Sequence, residues 1–404
     1  MFALSSLLAQ PTTMAAQSTA LPKRRCCGFI DRGVRGTPIC RQVRFKAILS
    51  YFRRAAALIT VFTMPAPDTL AASELYARAF ARRPDSIVAM PGGASTRLYF
   101  RLSCGNDSAV AMFVPDATRA DEIQNGPTRE RWPFLEVRDL LEERGVRVPR
   151  VLAESCDDGW LLLEDLSDLT LANYLLEHPR QKEAAYVRAV DDLARAQTQL
   201  ASLPESSIVH QRRFDEKLLS WEVDHFREWG LEARGYALPP GTLERWDALR
   251  HELAARVAAM PTAFVHRDYQ SRNLMVTGET LAPELVWIDF QDALIGPRVY
   301  DLVALLGDSY QSFEPAFVQK RVAEFAAAIG VDHRVIRREF DEVTVQRKLK
   351  DAGRFVFIDR VKGNPHFLQY VEPTIDKVFA ALNALSGDPL FDELRGLLAT
   401  SLPR

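Results

Sequence analysis

The sequence predicts an α+β fold in two lobes, a small antiparallel β N-lobe followed by a mainly helical C-lobe. Two observations support this prediction. Between residues 85 and 163 short apolar runs alternate with turns, and beyond residue 170 apolar residues recur with helical spacing. Strands that precede a run of helices are typical of the α+β class. We place the boundary so that the N-lobe covers residues 64–166 and the C-lobe residues 167–404.

The first 63 residues differ from the rest in charge. They carry ten Lys or Arg residues and one acid, Asp31, which leaves 41 basic and 52 acidic side chains in the remaining 341 residues. We expect residues 1–63 to be a disordered or non-native basic leader, with Met64 as the working first residue. A targeting peptide or a nucleic-acid-binding arm is the alternative. Its longest apolar stretch, residues 55–62, is far below the roughly 20 residues that cross a bilayer, so we predict no membrane span.

The acidic body that follows limits the possible functions. Its net charge of −11 argues against a nucleic-acid substrate. Beyond residue 63 only Cys104 and Cys156 remain, and their separation fits no metal-ligand spacing. A disulfide framework is therefore not expected, which favours a protein of the reducing cytoplasm.

The predicted N-lobe is an antiparallel meander. Strands are predicted over residues 86–90, 97–102, 109–114, 148–152 and 160–163. Alternation through Leu98, Phe100 and Leu102 indicates that the second strand is half-buried. A helix over residues 134–144 separates the third and fourth strands, so the lobe is a five-stranded sheet with one helix.

Helical periodicity dominates the predicted C-lobe. Helices are predicted over residues 171–201, 214–229, 243–259, 313–329, 334–352 and 370–385. The first begins near Asp168 or Thr170, where a side-chain oxygen can cap the opening turn. Short β segments interrupt the helices only around Phe264, Leu274 and Val286.

One segment of the C-lobe carries a chemical signature. Residues 266–273 read His-Arg-Asp-Tyr-Gln-Ser-Arg-Asn, and Asp289 follows sixteen residues later at the end of an apolar run. Phosphoryl transfer needs a carboxylate that orients the attacking hydroxyl and oxygen ligands that hold Mg²⁺ on the nucleotide phosphates. We assign the first role to the catalytic residue Asp268 and the metal-binding roles to Asn273 and Asp289.

These strings, together with a glycine turn at residues 91–96, resemble the aminoglycoside phosphotransferase family, which has a protein-kinase-like fold, over residues 70–390. Within that family, residues 266–275, 288–293 and 296–302 are similar to the kinases that phosphorylate the anomeric hydroxyl of N-acetylmuramate and N-acetylglucosamine in peptidoglycan recycling. The resemblance implies an ATP- and Mg²⁺-dependent, cytoplasmic bacterial sugar kinase. It also implies a metabolic link to a sugar-1-phosphate nucleotidyltransferase, which would consume the product.

The resemblance places the nucleotide in the N-lobe. Backbone groups of the glycine turn can approach the triphosphate closely, and we assign nucleotide binding to Gly92, Gly93, Ser95 and Thr96. Glu164, at the junction between the lobes, is expected to present its backbone to adenine. One departure concerns Met112, which stands where kinases have a lysine that holds the α and β phosphates.

Three further residues complete the predicted site. The guanidinium of Arg272 can neutralise charge that develops on the transferred phosphate; a salt bridge within the helical lobe is the alternative. Glu222 and His225 share a helix with two tryptophans and are assigned to the acceptor sugar, although an aromatic stripe of this kind is more often plain core. Arg354 and Arg360 are weighed as partners of a lactyl carboxylate but are not assigned.

Two alternative functions remain open. A kinase of the same class can act on an aminoglycoside, a choline-like molecule or another small alcohol. A catalytically silent pseudokinase that binds nucleotide or a partner protein is suggested by Met112, but Asp268, Asn273 and Asp289 argue against it.

Overall fold

The computed structural model of the protein describes residues 67–91, 97–115, 131–278 and 284–402. Its strands are β1 Ser86–Ala89, β2 Leu98–Cys104, β3 Asp107–Phe113, β4 Val151–Ser155, β5 Trp160–Glu164, β6 Thr262–Val265, β7 Leu274–Thr277, β8 Glu284–Trp287 and β9 Leu294–Pro297. Its α-helices are α1 Leu70–Phe80, α2 Pro133–Glu143, α3 Leu171–Glu177, α4 Lys182–Gln199, α5 Ile208–Gln211, α6 Glu216–His225, α7 Leu243–Ala258, α8 Tyr300–Leu306, α9 Pro315–Ala328, α10 His333–Lys362, α11 Val371–Ala384 and α12 Pro389–Ser401. The predicted α+β class is confirmed.

The first five strands form one antiparallel sheet in the order β1-β2-β3-β5-β4. Because side chains alternate between the two faces of a strand, each face of this sheet has its own partner. On one face Leu102, Ala111 and Leu162 pack against the buried side of α1. On the other face Met112 and Leu161 join the large core that continues into the C-lobe. The sheet is thereby attached to the helical lobe by apolar packing.

Several predicted boundaries are corrected by the structure. Strand β4 begins at Val151, three residues later than predicted. The predicted helix over residues 171–201 is wrong as a single element, because α3 ends at Glu177 and a 3₁₀ turn, Pro179–Gln181, separates it from α4. Proline lacks an N–H and disfavours helical dihedrals in the residue before it, and His178 is indeed non-helical at φ −123° and ψ 56°. The predicted cap at Thr170 is confirmed, since its side chain accepts from the Asn173 N–H at 3.2 Å.

The longest helix, α10, organises the C-lobe. Its 30 residues extend ten residues beyond the prediction and span about 45 Å. Gly353 lets α10 lie against the end of α6, because a Cβ atom at this position would stand 2.8 Å from the carbonyl oxygen of His225. Helix α6 ends at His225 and continues as a π-helical turn, Phe226–Leu231, rather than as the predicted α-helix to residue 229. This packing brings the middle of α10 under the 266–273 loop.

Two small antiparallel sheets present that loop. Strand β6 pairs with β9, and β7 pairs with β8. Residues 266–273 connect β6 to β7, while Asp289 lies in the turn between β8 and β9. Both chemical segments therefore connect the same two small sheets, one running from β6 to β7 and the other from β8 to β9. Among the residues that the structure describes, no helix is long and apolar enough to cross a membrane.

Candidate active site

The 266–273 loop is held at its first end by Asp301. The buried carboxylate of Asp301, in the first turn of α8, accepts hydrogen bonds from the backbone N–H groups of His266 at 2.5 Å and Arg267 at 3.0 Å. Arg267 has the left-handed dihedral φ 82°, which a non-glycine residue adopts only when its surroundings impose it. Burial raises the pKa of Asp301 to about 7, although the two backbone donors and the Arg347 charge oppose the rise. Asp301 therefore joins the start of the loop to the first turn of α8.

The second end of the loop is held by Asp308. Its carboxylate oxygen Oδ2 accepts from the backbone N–H of Ser271 at 3.0 Å and from the Ser271 hydroxyl at 2.5 Å. Asp308 and Ser271 are both fully buried. Hydrogen bonds to a buried carboxylate are strong because no water competes for them. The loop is therefore fixed on both sides of Asp268.

Asp268 lies between these two anchors with its side chain 40% exposed. Its carboxylate oxygen Oδ1 lies 3.5 Å from Nη2 of Arg347, whose Nη1 donates to the carbonyl oxygen of Arg267 at 2.8 Å. Burial raises the pKa of Asp268, but the positive charges of Lys350, Arg347 and Arg267 outweigh it and leave this pKa below its usual value. The carboxylate is thus ionised at neutral pH and faces open space.

His266 supports the loop from below. Its ring is fully buried, and Nδ1 accepts from the backbone N–H of Asp268 at 3.3 Å. Burial lowers the pKa of His266 to about 4. His266 is thus a neutral imidazole that accepts a backbone hydrogen bond, which is a structural role.

Asn273 and Asp289 meet beside Asp268. The side-chain amide of Asn273 donates through Nδ2 to the carbonyl oxygen of Asp268 at 2.8 Å, and the backbone carbonyl of Asn273 accepts from the Ile288 N–H at 3.0 Å. Asp289 adopts φ 64°, and its side chain is 46% exposed. Burial and the nearby charge of Asp268 raise the pKa of Asp289. The structure therefore brings the three predicted residues together.

Gln291 and Arg97 add contacts that the sequence reasoning missed. Gln291 Nε2 donates to Asp289 Oδ1 and to Asp292 Oδ2, each at 3.0 Å. From the N-lobe, Nη1 of Arg97 lies 3.5 Å from Asp289 Oδ1. Arg97 could have been identified from the sequence, because it directly follows the glycine turn that is predicted to bind the nucleotide. Met112 itself is fully buried in the core.

The predicted nucleotide residues are only partly described. Gly92, Gly93, Ser95 and Thr96 lie outside the described residues. Glu164 ends β5, and its carboxylate is paired with Arg147 Nη2 at 2.7 Å and with the Arg150 N–H at 3.1 Å. Its backbone N–H is also taken, since it donates to the Arg150 carbonyl at 2.9 Å. The predicted contact between the Glu164 backbone and adenine stays a prediction.

The two residues predicted for the acceptor have different surroundings. Glu222 is fully buried, accepts from Gln346 Nε2 at 2.9 Å and lies 3.7 Å from Arg267 Nη2. It therefore supports the loop through Arg267, and a direct sugar contact would require it to become accessible. His225 is 7% exposed within a row of rings formed with Trp221, Trp229 and Phe357. Both acceptor assignments stay predictions.

Arg272 is oriented by two aromatic rings. Its guanidinium carbon stands 3.6 Å from the centre of the Tyr310 ring, and Nη2 donates to the Tyr370 hydroxyl at 3.2 Å. Within the described ranges no ion pair joins Arg272 to a carboxylate, so the alternative of a salt bridge is not realised there. Its predicted role in neutralising phosphate charge stays a prediction.

The fold and this cluster define a class: a kinase that transfers phosphate to a small molecule, built from a β-rich lobe and a helical lobe. A sequence model of the phosphotransferase enzyme family matches residues 86–340. The chain belongs to this family, which confirms the predicted resemblance.

Two similar sequences and one solved structure support this assignment. An N-acetylmuramate/N-acetylglucosamine kinase of Pseudomonas aeruginosa is 32% identical over 330 residues, which cover 80% of this chain and 90% of that protein. A kinase of the same name from Pseudomonas putida is 30% identical, covering 78% and 88%. The GDP complex of aminoglycoside 2'-phosphotransferase-IIIa has the same fold, with a TM-score of 0.52, 16% identity and coverage of 78% of this chain and 98% of that one.

Proposed function

We propose that this protein is an ATP-dependent kinase that phosphorylates the anomeric C1 hydroxyl of N-acetylmuramate and N-acetylglucosamine. The product is the sugar 1-phosphate, and the process served is cell-wall recycling. The acceptor class is taken from the names of the Pseudomonas relatives. One observation carries the reaction type: an ionised, half-exposed Asp268 lies beside Asn273 and Asp289 on a loop anchored at both ends.

Asp268 acts on the acceptor hydroxyl. Its carboxylate orients the sugar oxygen and accepts the hydroxyl proton while that oxygen forms its bond to the γ-phosphorus of ATP. The bond between the γ-phosphorus and the β,γ-bridging oxygen breaks, and ADP leaves with the electron pair. The lowered pKa of Asp268 keeps it in the deprotonated form that this step requires. Asp268 then releases the proton to water.

Asn273 and Asp289 suit a magnesium ion. Mg²⁺ prefers a few carboxylate and amide oxygens from the protein together with phosphate oxygens. Asn273 uses its Nδ2 on the Asp268 carbonyl, which leaves its amide oxygen for a metal. The described residues contain no group of three or more His, Cys, Asp or Glu side chains that could hold a metal alone, so the phosphates supply the remaining ligands. Bound Mg²⁺ would neutralise the phosphate charge.

Arg97 supplies positive charge where Met112 cannot. Its guanidinium reaches the metal-site carboxylate Asp289 from the N-lobe, and its side chain is 19% exposed. We assign Arg97 to the nucleotide phosphates, together with the glycine turn at Gly92 and Gly93. A bound magnesium nucleotide would offer a cation to Asp289 and an anion to Arg97 in place of their mutual contact, so Asp289 would hold the metal and Arg97 the phosphates.

The proposed reaction determines the cellular context. ATP as phosphate donor and a free amino sugar as acceptor suit the bacterial cytoplasm. A sugar 1-phosphate is a substrate for nucleotidyltransferases, so an enzyme of that class would consume the product. Neither nucleic acid nor a membrane takes part.

An acceptor panel tests this proposal. The full chain is incubated with labelled ATP, Mg²⁺ and either sugar, and 1-O-methyl glycosides of both sugars serve as controls because they lack the C1 hydroxyl. We expect phosphate transfer to the free sugars and none to the glycosides. Transfer to a glycoside would place the phosphate on another hydroxyl. Transfer only to an aminoglycoside or to choline would move the acceptor to the alternative class, and nucleotide binding without any transfer would support a pseudokinase.

A further inference from the structure

We infer that Arg272, together with Tyr310 and Tyr370, binds a carboxylate of the acceptor, and so distinguishes N-acetylmuramate from N-acetylglucosamine. The two sugars differ only in the lactyl ether of N-acetylmuramate, which carries one negative charge. The inference rests on the proposed function, because it concerns the acceptor side of the same site. It gives Arg272 a different ligand from the transferred phosphate.

The position of Arg272 suits a contact with the acceptor. It follows Asp268 by four residues and directly precedes Asn273. Its backbone position is fixed because the preceding residue, Ser271, is anchored to Asp308 through both its N–H and its hydroxyl. Asp268 and Arg272 both lie close enough to Tyr310 to act on its pKa, which burial raises, Arg272 lowers and Asp268 raises. An acceptor held at Asp268 therefore lies near the ring on which Arg272 stacks.

The guanidinium is oriented but retains free donors. One face of the Arg272 group stacks on Tyr310 at 3.6 Å, and one nitrogen bonds the Tyr370 hydroxyl. Arginine has five N–H donors in a planar fork, and stacking leaves the edge of the fork available. No acidic side chain of the described residues approaches Arg272 within 4 Å, whereas the nearby Arg347 has Asp268 and Asp351 at 3.5 and 3.9 Å. A carboxylate can therefore form a bidentate pair with Arg272.

The rings around Arg272 form a surface suited to a sugar. Tyr310 and Tyr370 are half-buried, meet edge to face at 4.8 Å, and both pack on Phe355. Phe367 extends this group by stacking on Phe355 at 6.0 Å. Aromatic faces cover the apolar face of a pyranose ring, while the polar edges of Tyr remain able to bond hydroxyls. The same group thus offers apolar contact for the ring and a cation for its substituent.

The other cations near Asp268 are less suited to this role. Arg347 and Lys348 have side chains only 2% exposed, and Lys350 is 14% exposed. All three lie within 4 Å of Asp351. Arg272 is the cation of this loop that combines partial exposure with an absence of acidic partners among the described residues.

The test compares two acceptors in one variant. Arg272→Gln removes the charge and keeps much of the length, and the quantity measured is the ratio of kcat/KM for N-acetylmuramate to that for N-acetylglucosamine. We expect this ratio to fall by about 10- to 100-fold, which is the usual effect of removing a charged hydrogen-bonding partner. Arg272→Lys keeps a point charge but loses the fork, so the ratio should fall by less. Titration of N-acetylmuramate without ATP, followed by tryptophan fluorescence, should show the same weakening.

Two matched variants make the test specific. Tyr370→Phe keeps the ring and removes the hydroxyl that orients Arg272, and should lower the ratio only about twofold to fivefold. Arg360→Gln changes an exposed arginine at the far end of α10 and should leave the ratio as in the wild type. If Arg354→Gln lowers the ratio and Arg272→Gln does not, the carboxylate is bound elsewhere and the inference is wrong.

The outcomes separate this inference from the proposed function. Phosphorylation of both sugars with an unchanged ratio in Arg272→Gln overturns the inference alone. Phosphorylation of N-acetylglucosamine but not N-acetylmuramate by the wild type also overturns it. Phosphorylation of neither sugar overturns the proposed function and the inference with it.

Discussion

The two sides of the active site are held in different ways. On the C-lobe side, buried groups hold the 266–273 loop at several points: Asp301 and Asp308 bind its backbone, and Glu222 and Arg347 hold Arg267. On the N-lobe side, among the described residues, the cation that reaches the metal-site carboxylate is Arg97, at 3.5 Å. The difference teaches that buried carboxylates fix the loop that carries Asp268, while the contact from the N-lobe is a partly exposed ion pair that can rearrange without disturbing the loop.

The largest expected effect is on the C-lobe side of the site, at Asp268. Asp268→Asn removes the proton acceptor but keeps its shape, so kcat should fall about 1,000-fold, within the range for loss of a general base. Single-turnover measurements with either sugar test this. The side chain has one ion pair, at 3.5 Å, and is 40% exposed. The unfolding free energy should therefore change by less than about 1 kcal/mol. Residual activity above one tenth would remove Asp268 from its proposed role.

The second effect concerns support of the loop from α6. Glu222→Ala removes an acid that lies 3.7 Å from the buried Arg267, and losing one partner of a buried ion pair costs about 3 kcal/mol of unfolding free energy. Urea denaturation measures this cost. The matched control is Glu228→Ala, whose side chain is 52% exposed and 3.9 Å from Arg227, and which should cost less than about 1 kcal/mol. A raised KM for the sugar without loss of stability would instead support the acceptor contact that the sequence suggests.

The third effect is a pH dependence of stability that arises from His266, on the C-lobe side of the site. The pKa of His266 is about 4 in the folded protein and 6.5 in an unperturbed histidine, so below pH 6.5 the unfolded chain binds a proton that the folded chain does not. Stability is therefore lost as the pH falls from about 6.5 to 4. The wild type should lose about 2 kcal/mol more than His266→Asn between pH 7 and 4.5, as measured by urea denaturation. Equal losses in both proteins would mean that His266 is not held neutral.

The smallest effect is expected on the N-lobe side of the site, at Arg97. Arg97→Ala should weaken binding of Mg²⁺-ATP about tenfold, as expected for loss of one charge-assisted contact, and Arg97→Lys should restore part of it. Calorimetric titration without acceptor measures this binding directly. Arg82→Ala is the control, because Arg82 is an N-lobe arginine paired with Asp107 and 46% exposed. If Arg97→Ala binds Mg²⁺-ATP within twofold of the wild type, Arg97 does not replace the lysine that kinases have at the position of Met112.

Much of the fold and the centre of the site could be predicted from the sequence. The five strands of the N-lobe sheet and the main helices follow from local periodicity. Some errors lie at element ends, such as β4 and the break at Pro179, and strand β9 and helix α12 were missed. Asp268 and Asn273 could be found because they share one loop, where their spacing fixes their separation. Helix α1 was not predicted, and its buried face of Ala72, Leu75 and Tyr76 has a partner only once the sheet has formed.

Other features were decided by tertiary structure. Arg97 lies 192 residues from Asp289 along the chain, and Glu222 lies 124 residues from Gln346, so no local pattern could pair them. The burial of Glu222 and the stacking of Arg272 on Tyr310 likewise depend on how α6, α10 and the residues after α8 pack together. By itself the sequence determined the fold class, most of the elements and the proposed catalytic and metal-binding residues, because these depend on spacing within short segments. The tertiary structure alone decided which distant charges surround those groups and which of them face water, since such contacts form only when separate segments pack.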